Sequence, residues 1–147
     1  MSRQAAGAAW PFASPPPARS LLSWELQDVA ELPGVRAEMR RHATGVPTPD
    51  DPAGSDVHHQ LVLALDEMAS NALRHGGGNV RASVRSTPDA FLVEVSDTAV
   101  TSPPTPAVGR DPSEGGLGLY LIAEMASAHG WYVRDGEKHV WALLPRY

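Results

Sequence analysis

Apolar positions along the chain fall into short blocks with two distinct periods. Leu21-Leu22-Ser23-Trp24-Glu25-Leu26 has the dense apolar content of a first strand. Pro33-Gly34 then opens a helix through Val35, Met39 and Ala43, which Gly45 ends. Residues 46–54, with three prolines and two adjacent aspartates, form a loop, and Ser55 or Asp56 stands where it can cap the next helix. In that helix Val57, Leu61, Ala64, Leu65, Met68 and Ala72 recur at three- and four-residue spacing, which places them on one buried face. The helix is predicted to run to about His75 and to stop at Gly76-Gly77-Gly78.

Two strands are predicted next. Val80, Ala82 and Val84 alternate with Arg81, Ser83 and Arg85; after the turn Thr87-Pro88-Asp89, Phe91, Val93 and Val95 alternate with Leu92 and Glu94. This is the pattern of a half-buried antiparallel hairpin ending at Ser96-Asp97. Residues 98–114 carry four prolines and no periodicity, and a structureless stretch of that length inside a domain is usually functional or mobile. Gly115-Gly116-Leu117-Gly118 opens a further helix carrying Leu121, Ile122, Met125 and Ala126, with an end near Gly130. Trp131-Tyr132-Val133 and residues 139–144 close the chain as a hairpin across Asp135-Gly136. No internal repeat is visible, and helices alternate with hairpins around one sheet.

Composition sets the limits of this picture. The first 20 of the 147 residues hold six alanines, four prolines and two charged side chains. Pro11, Pro15, Pro16 and Pro17 interrupt any apolar stretch that a secretory signal would need. Residues 1–20 are therefore read as a disordered tail and residues 21–147 as one domain, with a docking role for Trp10 and Phe12 as the alternative. The chain has no cysteine, which excludes disulfides, a thiol nucleophile and thiolate metal sites. Its longest aliphatic run, residues 61–65, is far shorter than the ~20 residues of a membrane span. A net charge of −5 argues against a nucleic-acid or anionic-membrane partner. Arginine outnumbers lysine 11 to 1, a bias of base composition rather than of mechanism. A soluble, cytoplasmic, single-domain protein is expected.

Three polar features stand out. Glu67, Asn71 and His75, spaced by four, form a stripe on the long helix, each rotated ~40° from the last. The stripe borders the apolar face, as ordinary boundary residues do, but a carboxylate and an amide at the edge of a cleft also suit a base and an oxygen ligand for a hard cation such as Mg2+. Zinc is a poorer match, because the neighbouring acids and histidines lack H-E-x-x-H spacing. Asp97, at a strand end, reads either as a turn former or as a carboxylate accepting a hydrogen bond from a base amine. Gly115-Gly116-Leu117-Gly118 is a plain helix start or a place where backbone N–H groups approach an anion. It has neither the Lys-Ser/Thr of a P-loop nor the setting of a dinucleotide fingerprint.

Taken in chain order, these features resemble the histidine-kinase-like ATPase (Bergerat-fold, GHKL) superfamily over residues 21–145. The segment from Leu65 to Gly76, LDEMASNALRHG, resembles its N-box. Asp97-Thr98-Ala99 stands at the first glycine box, and Glu114-Gly115-Gly116-Leu117-Gly118-Leu119 resembles the second. Within the superfamily the chain is most similar to small bacterial anti-sigma factor serine/threonine kinases. The resemblance implies an α/β two-layer sandwich, a mixed but mostly antiparallel sheet packed on helices. It implies ATP and Mg2+ as cofactors, Glu67 as general base, Asn71 as the Mg2+ ligand and Asp97 as the acceptor of the adenine amine. Ala99 would lie beside the base, and Gly115, Gly116, Leu117 and Gly118 would line the triphosphate beneath a mobile lid formed by residues 98–114. The implied partners are a STAS-type anti-anti-sigma protein and a sigma factor, with no nucleic acid and no membrane; anti-sigma relatives often dimerise, so a homodimer is admitted.

Two positions depart from the family pattern. Ala99 stands where glycine is expected, and its methyl group narrows the adenine side or conflicts with a positive φ. Leu117 replaces the arginine of many relatives, leaving Arg110 in the lid as a candidate for the γ-phosphate. Intact Glu67 and Asn71 favour a kinase; Ala99 favours an ATP-responsive binding module without transfer. A two-component catalytic fragment would need a dimerisation helix pair, and a gyrase or chaperone relative a transducer domain, for which 147 residues offer no room.

Overall fold

A computed structural model describes residues 10–42, 52–76, 78–104 and 117–146. In chain order the elements are β1 (Arg19–Leu26), a 3-10 turn (Val29–Glu31), α1 (Leu32–His42), α2 (Pro52–His75), β2 (Val80–Thr87), β3 (Ala90–Asp97), α3 (Leu117–Met125), β4 (Ala128–Arg134) and β5 (Glu137–Pro145). The strands form one sheet in the order β1-β2-β3-β5-β4, with every neighbouring pair antiparallel. The helices cover one face, which gives the expected two-layer α/β sandwich.

Side-chain alternation builds the interface between the layers. Val80, Ala82, Val84, Phe91, Val93, Val95, Val140, Ala142 and Leu144 point inward and are buried. They meet the predicted stripe of α2, every member of which is buried, together with Leu119 and Ile122 of α3 and Val35 and Met39 of α1. Two polar ties fix α1: Trp24 Nε1 donates to Glu38 at 2.8 Å, and Arg36 pairs with Asp66 of α2 at 2.5 Å. Asp28 and Glu31 cap the 3-10 turn reciprocally, so the backbone is already wound when it enters α1.

Several expectations need correction. The long helix begins at Pro52, inside the stretch predicted as loop, because a proline in the first helical turn has no N–H to leave unpaired. Of the apolar residues predicted on α3, Ile122 points inward but Leu121 is exposed, and Leu119 takes the other inward position. That helix ends at Met125 and Gly130 lies within β4, where a side chain would strike Pro11 O at 2.9 Å. The β2–β3 hairpin is not half-buried throughout. β3 is central, so its outward Leu92, Glu94 and Ser96 are covered by side chains of the flanking strands. The closing hairpin turns at Asp135 and Gly136, both with positive φ (53° and 78°), as a two-residue type I′ turn requires.

Residues 10–20 are not a free tail. Phe12 pairs in parallel with Trp131, Ala13 N–H donates to Trp131 O at 2.9 Å, and Trp141 Nε1 donates to Ala13 O at 2.8 Å. Proline-rich chain is already extended, so it can lie along a sheet edge at little entropic cost, and an aromatic side chain supplies the buried area. Trp10 is 2% exposed and sits edge-on to His129 at 4.7 Å, whereas Phe12 is 67% exposed. Burial holds the His129 imidazole below its ordinary pKa. Residues 1–9 lie outside the described residues. Among the described residues, no helix is long and apolar enough to cross a membrane.

Candidate functional site

The C-terminal half of α2 organises the site. Its buried stripe fixes the helix rotation, which leaves Glu67 and Asn71 half-buried at the border of the core and His75 exposed at the end. Neither the Glu67 nor the Asn71 side chain makes a hydrogen bond or ion pair with any described residue, so a carboxylate and an amide stand one helical turn apart without partners among the described residues.

At one end of this row lies α3. Gly118, its second residue, is seated so closely on Glu67 that an added Cβ would stand 2.6 Å from Glu67 Cδ and Cγ and closer still to Oε1. Only glycine lets this helix start approach the carboxylate. At the other end lies Asp97, the last residue of β3, which is 3% exposed. A Cβ on Gly76 would meet Ala72 O and Asp97 Cγ and Oδ2, each at 2.7 Å. The glycine that ends α2 therefore abuts the strand-end aspartate. Gly78, at φ +67°, presses on Thr98 in the same way. From Glu67 to Gly76 the helix rises about 14 Å, with Asn71 between them. One row thus links a helix N-terminus, a half-buried carboxylate, a half-buried amide and a buried carboxylate.

Asp97 is held by local chemistry. Its Oδ1 accepts the Ala99 N–H at 2.8 Å, and its Oδ2 lies 3.6 Å from Lys138 Nζ. Lys138 in turn donates to Ser102 O at 2.7 Å. Ala99 does not take a positive φ, since Asp135 is the sole non-glycine that does among the described residues. The expected conflict with a positive φ is therefore absent. Gly115, Gly116, Arg110 and the greater part of the predicted lid lie outside the described residues; Leu117 opens α3. The first turn of that loop, through Pro104, is described, and Pro104 O accepts the Trp10 N–H at 3.3 Å.

Among the described residues, no group of three histidine or acidic side chains gathers as a metal site. The donor set instead suits a hard cation held mainly by phosphate oxygens, with the free amide oxygen of Asn71 as a protein ligand.

Two features escaped the sequence reading. Lys138 faces Asp97 only because β5 inserts between β3 and β4, an order that no local pattern reveals. On the sheet face away from the helices, buried Glu94 accepts hydrogen bonds from Arg85, from Tyr132 OH at 2.6 Å and from His139 Nδ1 at 2.8 Å. Burial alone would raise the Glu94 pKa, but the bonds from His139 and Tyr132 and the Arg85 charge bring it below the ordinary value. Tyr132 is pushed up to about 12, first by burial and then by Glu94. A glutamate within a strand of otherwise buried residues was the available signal. This cluster joins strands and is separate from the α2 row.

Comparison with known proteins identifies the family. Residues 26–143 match the histidine kinase-like ATPase domain family. The alginate biosynthesis sensor protein KinB of Pseudomonas aeruginosa is 33% identical over 82 residues, covering 48% of this chain and 14% of that relative. The chain thus corresponds to a small part of KinB.

Proposed function

We propose, from the premise that this chain belongs to the histidine kinase-like ATPase domain family, that it binds Mg-ATP along the α2 row and phosphorylates a partner protein. In this reading it is an anti-sigma factor serine/threonine kinase that acts on a STAS-type anti-anti-sigma protein and sequesters a sigma factor in the cytoplasm. The observation that carries the proposal is the Glu67 carboxylate, without a side-chain partner among the described residues, packed on Gly118 at the start of α3, with Asn71 one turn away.

Each residue then has a task. Asp97 accepts a hydrogen bond from the adenine amine, and the N-terminus of α3 with its glycines receives the phosphates. Asn71 supplies an oxygen to Mg2+, which neutralises phosphate charge when bound. Glu67 accepts the proton of a serine hydroxyl as its Oγ attacks the γ-phosphorus. An Oγ–P bond forms, the bridging P–O bond breaks, and ADP leaves. A hydroxyl nucleophile must shed a proton, whereas the lone pair of a neutral imidazole is already available. A free carboxylate beside the phosphates therefore favours serine over histidine as acceptor. Ala99 supports the second reading, an ATP-responsive binding module without transfer, because a methyl occupies the base side of the site.

Incubation with γ-labelled ATP, Mg2+ and STAS-domain proteins from the same organism separates the two. Label should appear on a partner serine with the wild type and not with Glu67→Ala, while ATP binding persists in the variant. Transfer by Glu67→Ala at the wild-type rate removes Glu67 as base; no transfer by either protein leaves the binding-module reading.

A further inference from the structure

Lys138 is the sole lysine in a chain with eleven arginines, and it is buried, with 8% of its surface exposed. It is the second residue of β5, and the sheet register pairs it with Asp97. A buried ammonium is costly to desolvate unless its protons find acceptors. One of them goes to Ser102 O at 2.7 Å, in the turn that follows β3. The 3.6 Å separation from Asp97 Oδ2 is beyond a hydrogen bond, so that contact is Coulombic and leaves Oδ2 free to accept one. Meanwhile Oδ1 is already engaged by the Ala99 N–H. An arginine here would present a planar fork able to occupy both carboxylate oxygens. Lysine keeps the charge compact and to one side.

We infer that Lys138 is a positioning residue for base recognition. It holds the Asp97 carboxylate so that Oδ2, rather than Oδ1, meets an exocyclic amine. Through Ser102 O it also anchors the first turn after β3 to the same point. This role rests on the proposal above that Asp97 contacts the base. Lys138 acts through Asp97 and Ser102, the two groups it meets. Without its charge, the buried carboxylate loses its nearest cation and the Ser102 carbonyl loses its donor, so both the aim of Oδ2 and the turn are released.

The test uses the full chain, calorimetry, and two nucleotides that differ by one group: Mg-ATP, and the Mg complex of purine riboside triphosphate, which lacks the 6-amino group. Lys138→Met keeps the apolar stem and removes the charge. It is expected to weaken ATP binding about tenfold while changing affinity for the deaminated analogue by less than about twofold. Lys138→Arg keeps the charge but can engage both carboxylate oxygens, so it should not restore wild-type ATP affinity, and a variant that binds ATP as the wild type does would overturn the role. Because the chain has one lysine, selective labelling of the lysine side chain gives one resonance to follow by NMR in the wild type. It should shift with ATP more than with the analogue, and this readout decides the matter if the Met variant does not fold. Equal losses for both nucleotides, or a lysine resonance that ATP leaves unmoved, overturn the role of Lys138 alone. A wild type that binds neither nucleotide overturns the ATP reading, and this role with it.

Discussion

Gly118→Ala separates the candidate base from the stability of the fold. The new methyl would stand 2.6 Å from Glu67 Cδ and Cγ. Ordinary carbon–carbon contact lies at about 3.5 Å or more, so the carboxyl must withdraw by about 1 Å. What yields is a flexible, half-buried side chain from Cγ outward rather than backbone. An off-rotamer glutamate costs about 0.5–1.5 kcal/mol. Replacing glycine by alanine in a helix contributes up to about 1 kcal/mol in the opposite direction. Net stability should therefore change by less than about 1 kcal/mol, a few degrees in Tm. Transfer should suffer far more, because misplacing a reacting group by about 1 Å costs on the order of a hundredfold in rate. The assay pairs thermal unfolding with single-turnover phosphotransfer at saturating ATP. Gly76→Ala is the contrast: there the methyl meets the Ala72 carbonyl, which is helix backbone, and stability itself should fall. A Gly118→Ala protein that transfers phosphate at the wild-type rate, or that unfolds as readily as Gly76→Ala, would refute the reasoning.

Two further predictions concern the fold. Trp10→Ala should destabilise the domain by about 3 kcal/mol or more, as expected for a fully buried aromatic, and exposed Phe12→Ala by much less; equal melting temperatures for the two variants would show that residues 10–13 are not part of the fold. The Glu94 cluster should show in the pH dependence of urea unfolding. Glu94 titrates below its ordinary 4.5 when folded, so its contribution is complete above that value and is lost as pH falls through the lowered one. Tyr132 moves the other way, its contribution complete below 10.0 and lost as pH rises towards about 12. Glu94→Gln should flatten the acid limb and Tyr132→Phe the alkaline limb, and unchanged limbs would contradict the cluster.

Local periodicity made most of the architecture legible. The six-residue stripe of α2 placed Glu67 and Asn71 at the core border because a helix rotates its residues rigidly, and every member of the stripe is buried. Alternation located β2, β3 and the closing hairpin for the same kind of reason. Periodicity could not report strand order. With β5 between β3 and β4, Lys138 arrives at Asp97, and Tyr132 and His139 reach Glu94, from positions 38 to 45 residues away in sequence. The close seats of Gly118 on Glu67 and Gly76 on Asp97 are likewise tertiary. The sequence suggested a helix stop at Gly76 and an approach to an anion around Gly118, whereas both glycines also let elements approach each other. Residues 10–20 misled because proline content measures the lack of helix, not the lack of a partner: Trp10 finds one in the core and Pro11 in the edge of β4.

The central claim is that the α2 row, closed by Asp97 and Gly118, receives ATP. Calorimetric titration of the full chain with Mg-ATP, wild type beside Asp97→Asn, tests it most directly. The account predicts one site per chain in the wild type and an affinity at least about tenfold weaker in the variant, the loss expected when a charged acceptor becomes neutral. A wild type that takes up no ATP, or an Asp97→Asn protein that binds it equally well, would contradict the account.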